Sequence, residues 1–113
     1  KECQELSSEI MSQVEAKWGT VKDGYTSTGL QVSSPKIYYS PQLDSCIYKS
    51  EVIKGYGEDS TTYGTYYINI IDFLNNDELS SVVCDFNANW DNGEEFSKCT
   101  SVIDAELKQL EVE

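Results

Sequence analysis

The sequence predicts an α+β domain in which an N-terminal and a C-terminal helix pack on one face of an antiparallel sheet of roughly three to five strands. Apolar residues recur with helical spacing at both ends of the chain, and segments typical of strands lie between them. Four cysteines are placed so that each helix can be bridged to the sheet. The 113 residues contain no repeat or linker, so a single domain over 1–113 is expected.

The first helix is predicted between Cys3 and Trp18, where an apolar residue appears every three or four positions until Gly19. The following segment, 19–36, is rich in Gly, Ser and Thr and predicts a loop with one short edge strand.

Four segments have the pattern of β-strands. Residues 37–39 and 43–53 flank a turn at Pro41, because proline removes a ladder hydrogen bond. Residues 63–74 are dense in Tyr and Ile, and a turn at 75–78 leads into 79–86. In this last strand, alternation directs one set inward and the other outward. The inward set is Val82, Cys84 and Phe86, and the outward set is Ser81, Val83 and Asp85.

The last helix is predicted from a shared apolar face formed by Phe96, Cys99, Ile103, Leu107 and Leu110. The spacing of Cys3, Cys46, Cys84 and Cys99 contains no C-x-x-C, which disfavours zinc and thioredoxin-type chemistry. Two disulfides in an oxidising compartment are expected, although three connectivities and four buried thiols are the alternatives. The shortest closure joins Cys84 to Cys99 and leaves Cys3 with Cys46.

Composition excludes several classes of function. The chain has 8 Lys plus Arg, 20 Asp plus Glu, no histidine and a formal net charge of -12, and each of the eight basic residues is lysine. Nucleic acid and anionic lipid would repel this surface. Without histidine, Ser-His and Cys-His nucleophiles are also excluded. We therefore expect no cofactor and no nucleic-acid partner. No membrane span is expected either, because no stretch approaches the roughly 20 apolar residues that a spanning helix needs.

Seven tyrosines cluster on the predicted strands and on the loop between two of them, and these are the candidate binding residues: Tyr38, Tyr39, Tyr48, Tyr56, Tyr63, Tyr66 and Tyr67. Alternation sends Tyr38 and Tyr39 to opposite faces, and likewise Tyr66 and Tyr67. Rigid amphipathic rings suit protein contacts and sugar stacking. The alternative is that tyrosine is present simply as a good strand former.

Two acidic features of the sequence have both a functional and a structural explanation. The oxygen-bearing residues Asp85, Asn87, Asn89 and Asp91 follow the alternate spacing of a calcium loop. However, Trp90 occupies the position of the required glycine and Phe96 that of the bidentate glutamate. A helix start capped by Asp91 or Asn92 explains these residues without a metal, and no metal site is predicted.

Asp72 lies within the apolar stretch 68–74, where burial would raise its pKa and allow it to act as an acid in a small carboxylate-based hydrolase. A strand end facing solvent explains the same residue without catalysis. We expect a protein without catalytic residues.

The segment from Tyr39 to Cys46 has the pattern Y-S-P-x-L-x-x-C and is followed by the Tyr-rich strand and Asp72-Phe73-Leu74. It resembles small exported bacterial proteins of unknown function over about a third of the chain. The resemblance implies a secreted, periplasmic or cell-surface location and assigns no activity.

Taken together, these features predict a non-catalytic exported module of the inhibitor, immunity or surface-interaction kind. It would bind a protein partner, one of basic character, through an acidic and Tyr-rich sheet face. The alternative is a carbohydrate-binding or cell-surface structural module.

Overall fold

The computed structural model describes residues 2–55, 63–87 and 93–112. A 3₁₀ turn at Cys3–Leu6 leads into helix α1 (Ser7–Trp18), and helix α2 spans Gly93–Gln109. The strands, in chain order, are β1 (Val21–Lys22), β2 (Tyr25–Thr26), β3 (Gln31–Val32), β4 (Lys36–Ser40), β5 (Ser45–Gly55), β6 (Tyr63–Asp72) and β7 (Asp77–Asn87).

The predicted α+β class is confirmed, but the sheet has seven strands rather than three to five. The additional strands are β1, β2 and β3, which have two residues each and fall in the segment where a loop was expected. Asp23 and Gly24, with φ of 54° and 85°, form the tight turn between β1 and β2. Strands this short show no periodicity, so composition alone predicts a loop.

All the strand pairs are antiparallel, and β5 is the central strand. One edge of β5 pairs with β6, which in turn pairs with β7. The other edge pairs with β4 near the start of β5 and with β3 near its end. Among the described strands, β7 therefore terminates the sheet.

The two helices lie on opposite faces of the sheet, so the expectation that both cover one face is wrong. Ile10 and Val14 of α1 pack with Tyr48, Val52 and Ile71. On the other face, a second cluster contains Ile47, Ile68 and Ile70 with two residues of α2, Ile103 and Leu107.

This arrangement follows from the alternation of side chains along the central strands. Ile47 and Tyr48 are adjacent, and so are Ile70 and Ile71, so each pair contributes one apolar residue to each face. A near-continuous apolar run is typical of a strand that is buried on both sides. Such a run is present in β6 over 66–71, where Asn69 is the one polar residue, and in β5 only over 46–48.

Both disulfides have the predicted connectivity. Cys3 is bonded to Cys46, and Cys84 is bonded to Cys99. The first joins the 3₁₀ turn to β5 and the second joins α2 to β7, so each bond fixes one helical segment to its own face of the sheet.

The predicted alternation of β7 is also confirmed: Ser81, Val83 and Asp85 are exposed, whereas Cys84 is buried. Of the calcium-loop candidates, Asp85 and Asn87 belong to β7, while Asn89 and Asp91 lie outside the described residues, as do both proposed caps. Within the described ranges, no group of three metal-ligating side chains is found. No described helix has the length and apolar character needed to cross a membrane.

Candidate binding surface and cleft

The structure divides the candidate tyrosines between the two faces, as alternation predicted. Tyr38 and Tyr66 lie on the α2 face, opposite Ile47 and Cys84 respectively. The α1 face carries Tyr39, Tyr48 and Tyr67, as shown by their partners and by the α1 core. Tyr56 and the side chain of Tyr63 lie outside the described residues. The tyrosines that are described therefore do not form one row.

Several of these tyrosines have structural contacts within the fold. Tyr48 is 1% exposed and is part of the α1 core. Tyr66 is half-buried and makes edge-to-face contacts with Phe86 and with Phe96 of α2, at centroid distances of 5.3 and 5.0 Å. Tyr39 donates its hydroxyl hydrogen to Asp44 Oδ1 at 2.6 Å, which ties together the two ends of the β4–β5 turn.

One part of the α1 face remains open along β7. Val83 is 56% exposed, and Ser81 and Asp85 on the same face are exposed as well. Val83 lies directly opposite Tyr67, whose ring is 5.5 Å from that of Trp18 at the end of α1. We call the group of Trp18, Tyr67, Ser81, Val83 and Asp85 the β7 surface.

The β7 surface combines apolar and acidic groups. Trp18 and Tyr67 are half-buried, so each offers a ring edge or face that is already held in place by the core. Asp85 accepts a hydrogen bond from Thr65 Oγ1 at 2.9 Å, which orients its carboxylate on the strand next to Val83. An aliphatic residue beside two anchored rings and a positioned carboxylate is an arrangement suited to protein recognition.

A cleft of about 300 Å³ lies on the same face, between α1 and the start of β7. Helix α1 contributes Gln13, Ala16 and Lys17, while β5 and β6 contribute Tyr48 and Ile71. The lining is completed by Asn76 of the β6–β7 turn and by Glu78 near the start of β7. We call this the α1 cleft.

Hydrogen bonds fix the base of the α1 cleft. The Tyr48 hydroxyl donates to Gln13 Oε1 at 3.0 Å, and Gln13 Nε2 donates to the carbonyl oxygen of Phe73 at 3.3 Å. Burial raises the pKa of Tyr48, so its hydroxyl stays protonated and remains a donor across the ordinary pH range. The base of the cleft is therefore polar but uncharged.

The charged groups of the α1 cleft are Lys17 and Glu78, whose nearest atoms, Nζ and Oε1, are 3.7 Å apart. The buried Asn69 lies beside this pair. With its amide oriented to match its neighbours, Asn69 donates to Glu78 Oε1 at 3.0 Å and accepts from Lys17 Nζ at 3.2 Å. It also donates to Ser81 Oγ at 2.9 Å, which connects the cleft to the β7 surface.

Asp72 is buried, as its apolar context predicts, but the raised pKa on which the alternative acid role depended is not found. Burial alone would raise its pKa, but hydrogen bonds from Ser45, from the Asn75 side chain and from the amides of Leu74 and Asn75 outweigh burial and lower it. A carboxyl group with a lowered pKa is ionised at neutral pH and has no proton to donate. Asp72 anchors the β6–β7 connection.

Sequence reasoning missed Trp18, Val83 and the Lys17–Glu78 pair as members of a site. Trp18 has the spacing of a helix core residue. The alternation in β7 predicts that Val83 is on the outer face, but it gives no sign that Val83 is a contact residue. Nothing local indicates that Lys17 and Glu78 meet, because their proximity depends on which face α1 covers.

Comparisons with family models, with curated proteins and with solved structures find no match to this chain.

Proposed function

We propose that this chain is a non-catalytic, exported protein-binding module that engages a basic partner through the β7 surface. The observation that carries the proposal is the exposure of Val83 beside Tyr67 and Trp18, in a molecule with a net charge of -12. An inhibitor or immunity-like role is one such function.

Charge supports the choice of partner. The chain has 20 acidic residues against 8 lysines, so its field attracts cationic proteins and repels a second copy of itself. Long-range attraction of this kind raises the association rate, and it weakens as salt is added. The aromatic and aliphatic side chains of the β7 surface would then supply most of the affinity.

Export is supported by the two disulfides, which persist in oxidising compartments, and by the resemblance of the Tyr39–Cys46 segment to exported bacterial proteins. A secreted, periplasmic or cell-surface location follows from this proposal.

The experiment compares two valines of similar exposure on opposite faces. Val83 lies on the β7 surface, whereas Val102 lies on α2 and is 50% exposed. Wild type, Val83→Lys and Val102→Lys are immobilised and tested against a panel of purified basic secreted proteins at two salt concentrations. The proposal is supported if wild type and Val102→Lys bind the same partner and Val83→Lys binds it at least about tenfold more weakly. The binding should also weaken as the salt concentration rises.

Equal weakening by the two lysine variants would show that only overall charge matters, and it would overturn the β7 surface as the contact site. Binding that does not depend on salt concentration would contradict the proposal that the partner is basic. Circular dichroism and thermal unfolding of each variant establish that the fold is retained.

A carbohydrate ligand is the second candidate, favoured by the half-exposed Trp18 and Tyr67 rings. A glycan array probed with wild type and Tyr67→Ala separates the two functions. Glycan binding that Tyr67→Ala abolishes would favour the carbohydrate module over the protein-binding module.

A further inference from the structure

Among the described residues that line it, the α1 cleft has one positive side chain, Lys17, and one negative side chain, Glu78. Lys17 and Glu78 are 45% and 48% exposed, so both reach solvent at the cleft. Their separation of 3.7 Å is long for an ion pair, and partly exposed pairs of this kind contribute at most about 1 kcal/mol. A ligand can therefore separate the two charges at little cost.

Asn69 keeps the two charges in a fixed order. Its amide nitrogen binds Glu78 and its amide oxygen binds Lys17, and the side chain is buried on the sheet. A buried amide with both ends engaged has few alternative orientations. The acceptor Glu78 and the donor Lys17 are thus presented side by side rather than as two independent surface charges.

The composition of the cleft selects the chemical class of ligand. A simple cation would be repelled by Lys17, and a simple anion by Glu78. A sugar ring usually stacks on an open aromatic face, but Tyr48 is the aromatic residue among the described lining residues and its ring is buried. A ligand with adjacent opposite charges satisfies both Lys17 and Glu78.

We propose that the α1 cleft binds the zwitterionic backbone of a free aliphatic α-amino acid, whose carboxylate contacts Lys17 and whose ammonium contacts Glu78. The cleft volume of about 300 Å³ accommodates a molecule of this size. Ala16 and Ile71 provide the apolar part of the lining for its side chain. This site is separate from the protein-binding function proposed for the β7 surface.

The first test titrates the full chain with L-leucine, leucinamide, N-acetyl-L-leucine and D-glucose, using calorimetry and the side-chain amide signals of Asn69 in NMR. We expect L-leucine to bind and to shift the Asn69 signals, with at least about tenfold weaker binding by either blocked derivative. Equal binding of the blocked derivatives, stronger binding of glucose, or no binding of L-leucine at millimolar concentration would each overturn the proposal.

The second test uses an ion pair on the other face of the sheet as its control. Lys49 Nζ and Glu51 Oε1 are 3.2 Å apart on β5 and lie outside the α1 cleft. Lys17→Met and Glu78→Gln should each weaken L-leucine binding about tenfold or more, whereas Lys49→Met and Glu51→Gln should leave it unchanged. A similar effect of all four substitutions would show a general charge effect and overturn the site.

If a cleft variant unfolds, the Asn69 amide shifts of the wild-type protein still decide the question. Shifts confined to residues of the α1 cleft would support the site, and shifts elsewhere or none would overturn it.

Discussion

Ser45 donates a hydrogen bond from its hydroxyl to the carboxylate of Asp72, and both side chains are buried. Three further donors bind this carboxylate: the Leu74 amide at 3.1 Å, Asn75 Nδ2 at 2.9 Å and the Asn75 amide. The interaction joins the start of β5 to the end of β6, and it holds the chain as it turns toward β7. A buried carboxylate in such a shell is structural.

Asp72→Asn should reduce the free energy of unfolding by roughly 1.5–3 kcal/mol at neutral pH, because it weakens hydrogen bonds to a charged group. The pKa of Asp72 is lowered in the folded protein. Its charge therefore stabilises the fold fully above the unfolded value of about 3.9, and this contribution is lost as the pH falls through the lower folded pKa. Urea unfolding of both proteins at neutral and strongly acidic pH should show the difference closing in acid.

Asp104→Asn is the control, because Asp104 is an exposed residue of α2. We expect it to change stability by less than about 0.5 kcal/mol at either pH. A difference between wild type and Asp72→Asn that stays constant into acid would show that Asp72 acts through the shape of the connection and not through its charge.

Gly64→Ala should destabilise the sheet where β5, β6 and β7 pass one another. A Cβ at Gly64 would overlap the carbonyl oxygen of Lys54 and would lie 2.9 Å from Phe86 Cε1 and 3.0 Å from Gly55 Cα. Because two of these three neighbours are backbone atoms, the strain cannot be relieved by rotating a side chain. We expect a loss of about 1–3 kcal/mol in urea unfolding.

Lys36→Ala, on the exposed side of β4, is the comparison for Gly64→Ala. Its effect should be within about 0.5 kcal/mol. Equal stability of Gly64→Ala and wild type would mean that the β5–β6 pair can separate locally to admit a methyl group.

The helices and the four longer strands could be predicted because their signals are local. The pattern from Cys3 to Trp18 ends at Gly19, which has a φ of 110°, and the alternation around Cys84 separates buried from exposed positions. The apolar stripes placed each helix cysteine where it could meet a sheet cysteine, but they left the pairing open. The observed pairing is the one that closes the shortest loop, Cys84–Cys99.

The side of the sheet that each helix covers could not be obtained in this way. The apolar stripe of a helix shows which side of the helix is buried, but not which face of the sheet it packs against. The correct assignment depends on Ile47 and Tyr48 belonging to different cores. The α1 cleft depends on that assignment, because Lys17 meets Glu78 only when α1 lies on the face of the sheet that carries Ile71 and Glu78. The direction of the Asp72 pKa shift could not be predicted for a different reason: it depends on hydrogen-bond donors such as Ser45, which burial patterns do not reveal.

Removal of the two disulfides should have unequal effects. The Cys3–Cys46 bond closes a sequence separation of 43 residues, against 15 for Cys84–Cys99. In the loop-entropy model the double variants Cys3→Ala/Cys46→Ala and Cys84→Ala/Cys99→Ala lose roughly 4 and roughly 3 kcal/mol, respectively. Guanidinium unfolding of the two variants in parallel measures which one loses more unfolding free energy. A larger loss for the variant without Cys84–Cys99 would show that native-state packing of α2 outweighs chain entropy.

Two serines on opposite faces of the sheet provide the last prediction, because they are equally buried and differ in hydrogen bonding. Ser40 is 0% exposed, and its Oγ donates to the Leu110 carbonyl at 2.7 Å and accepts from the Leu43 amide at 3.3 Å. Ser50 is 2% exposed, and its Oγ has no hydrogen-bond partner among the described residues. Ser40→Ala should therefore cost roughly 1–3 kcal/mol, because it removes two hydrogen bonds to partly buried backbone groups, each worth about 0.5–1.5 kcal/mol.

Ser50→Ala should instead leave stability unchanged or raise it by about 1 kcal/mol, because it removes a hydroxyl whose burial is not compensated. Thermal and urea unfolding of both alanine variants measure the contrast, and since each substitution removes the same atom, differences in side-chain volume cancel. A loss for Ser50→Ala as large as that for Ser40→Ala would show that the Ser50 hydroxyl is satisfied in solution. In that case the row formed by Ser50, Asn69 and Ser81 across β5, β6 and β7 would act as one polar network beneath α1.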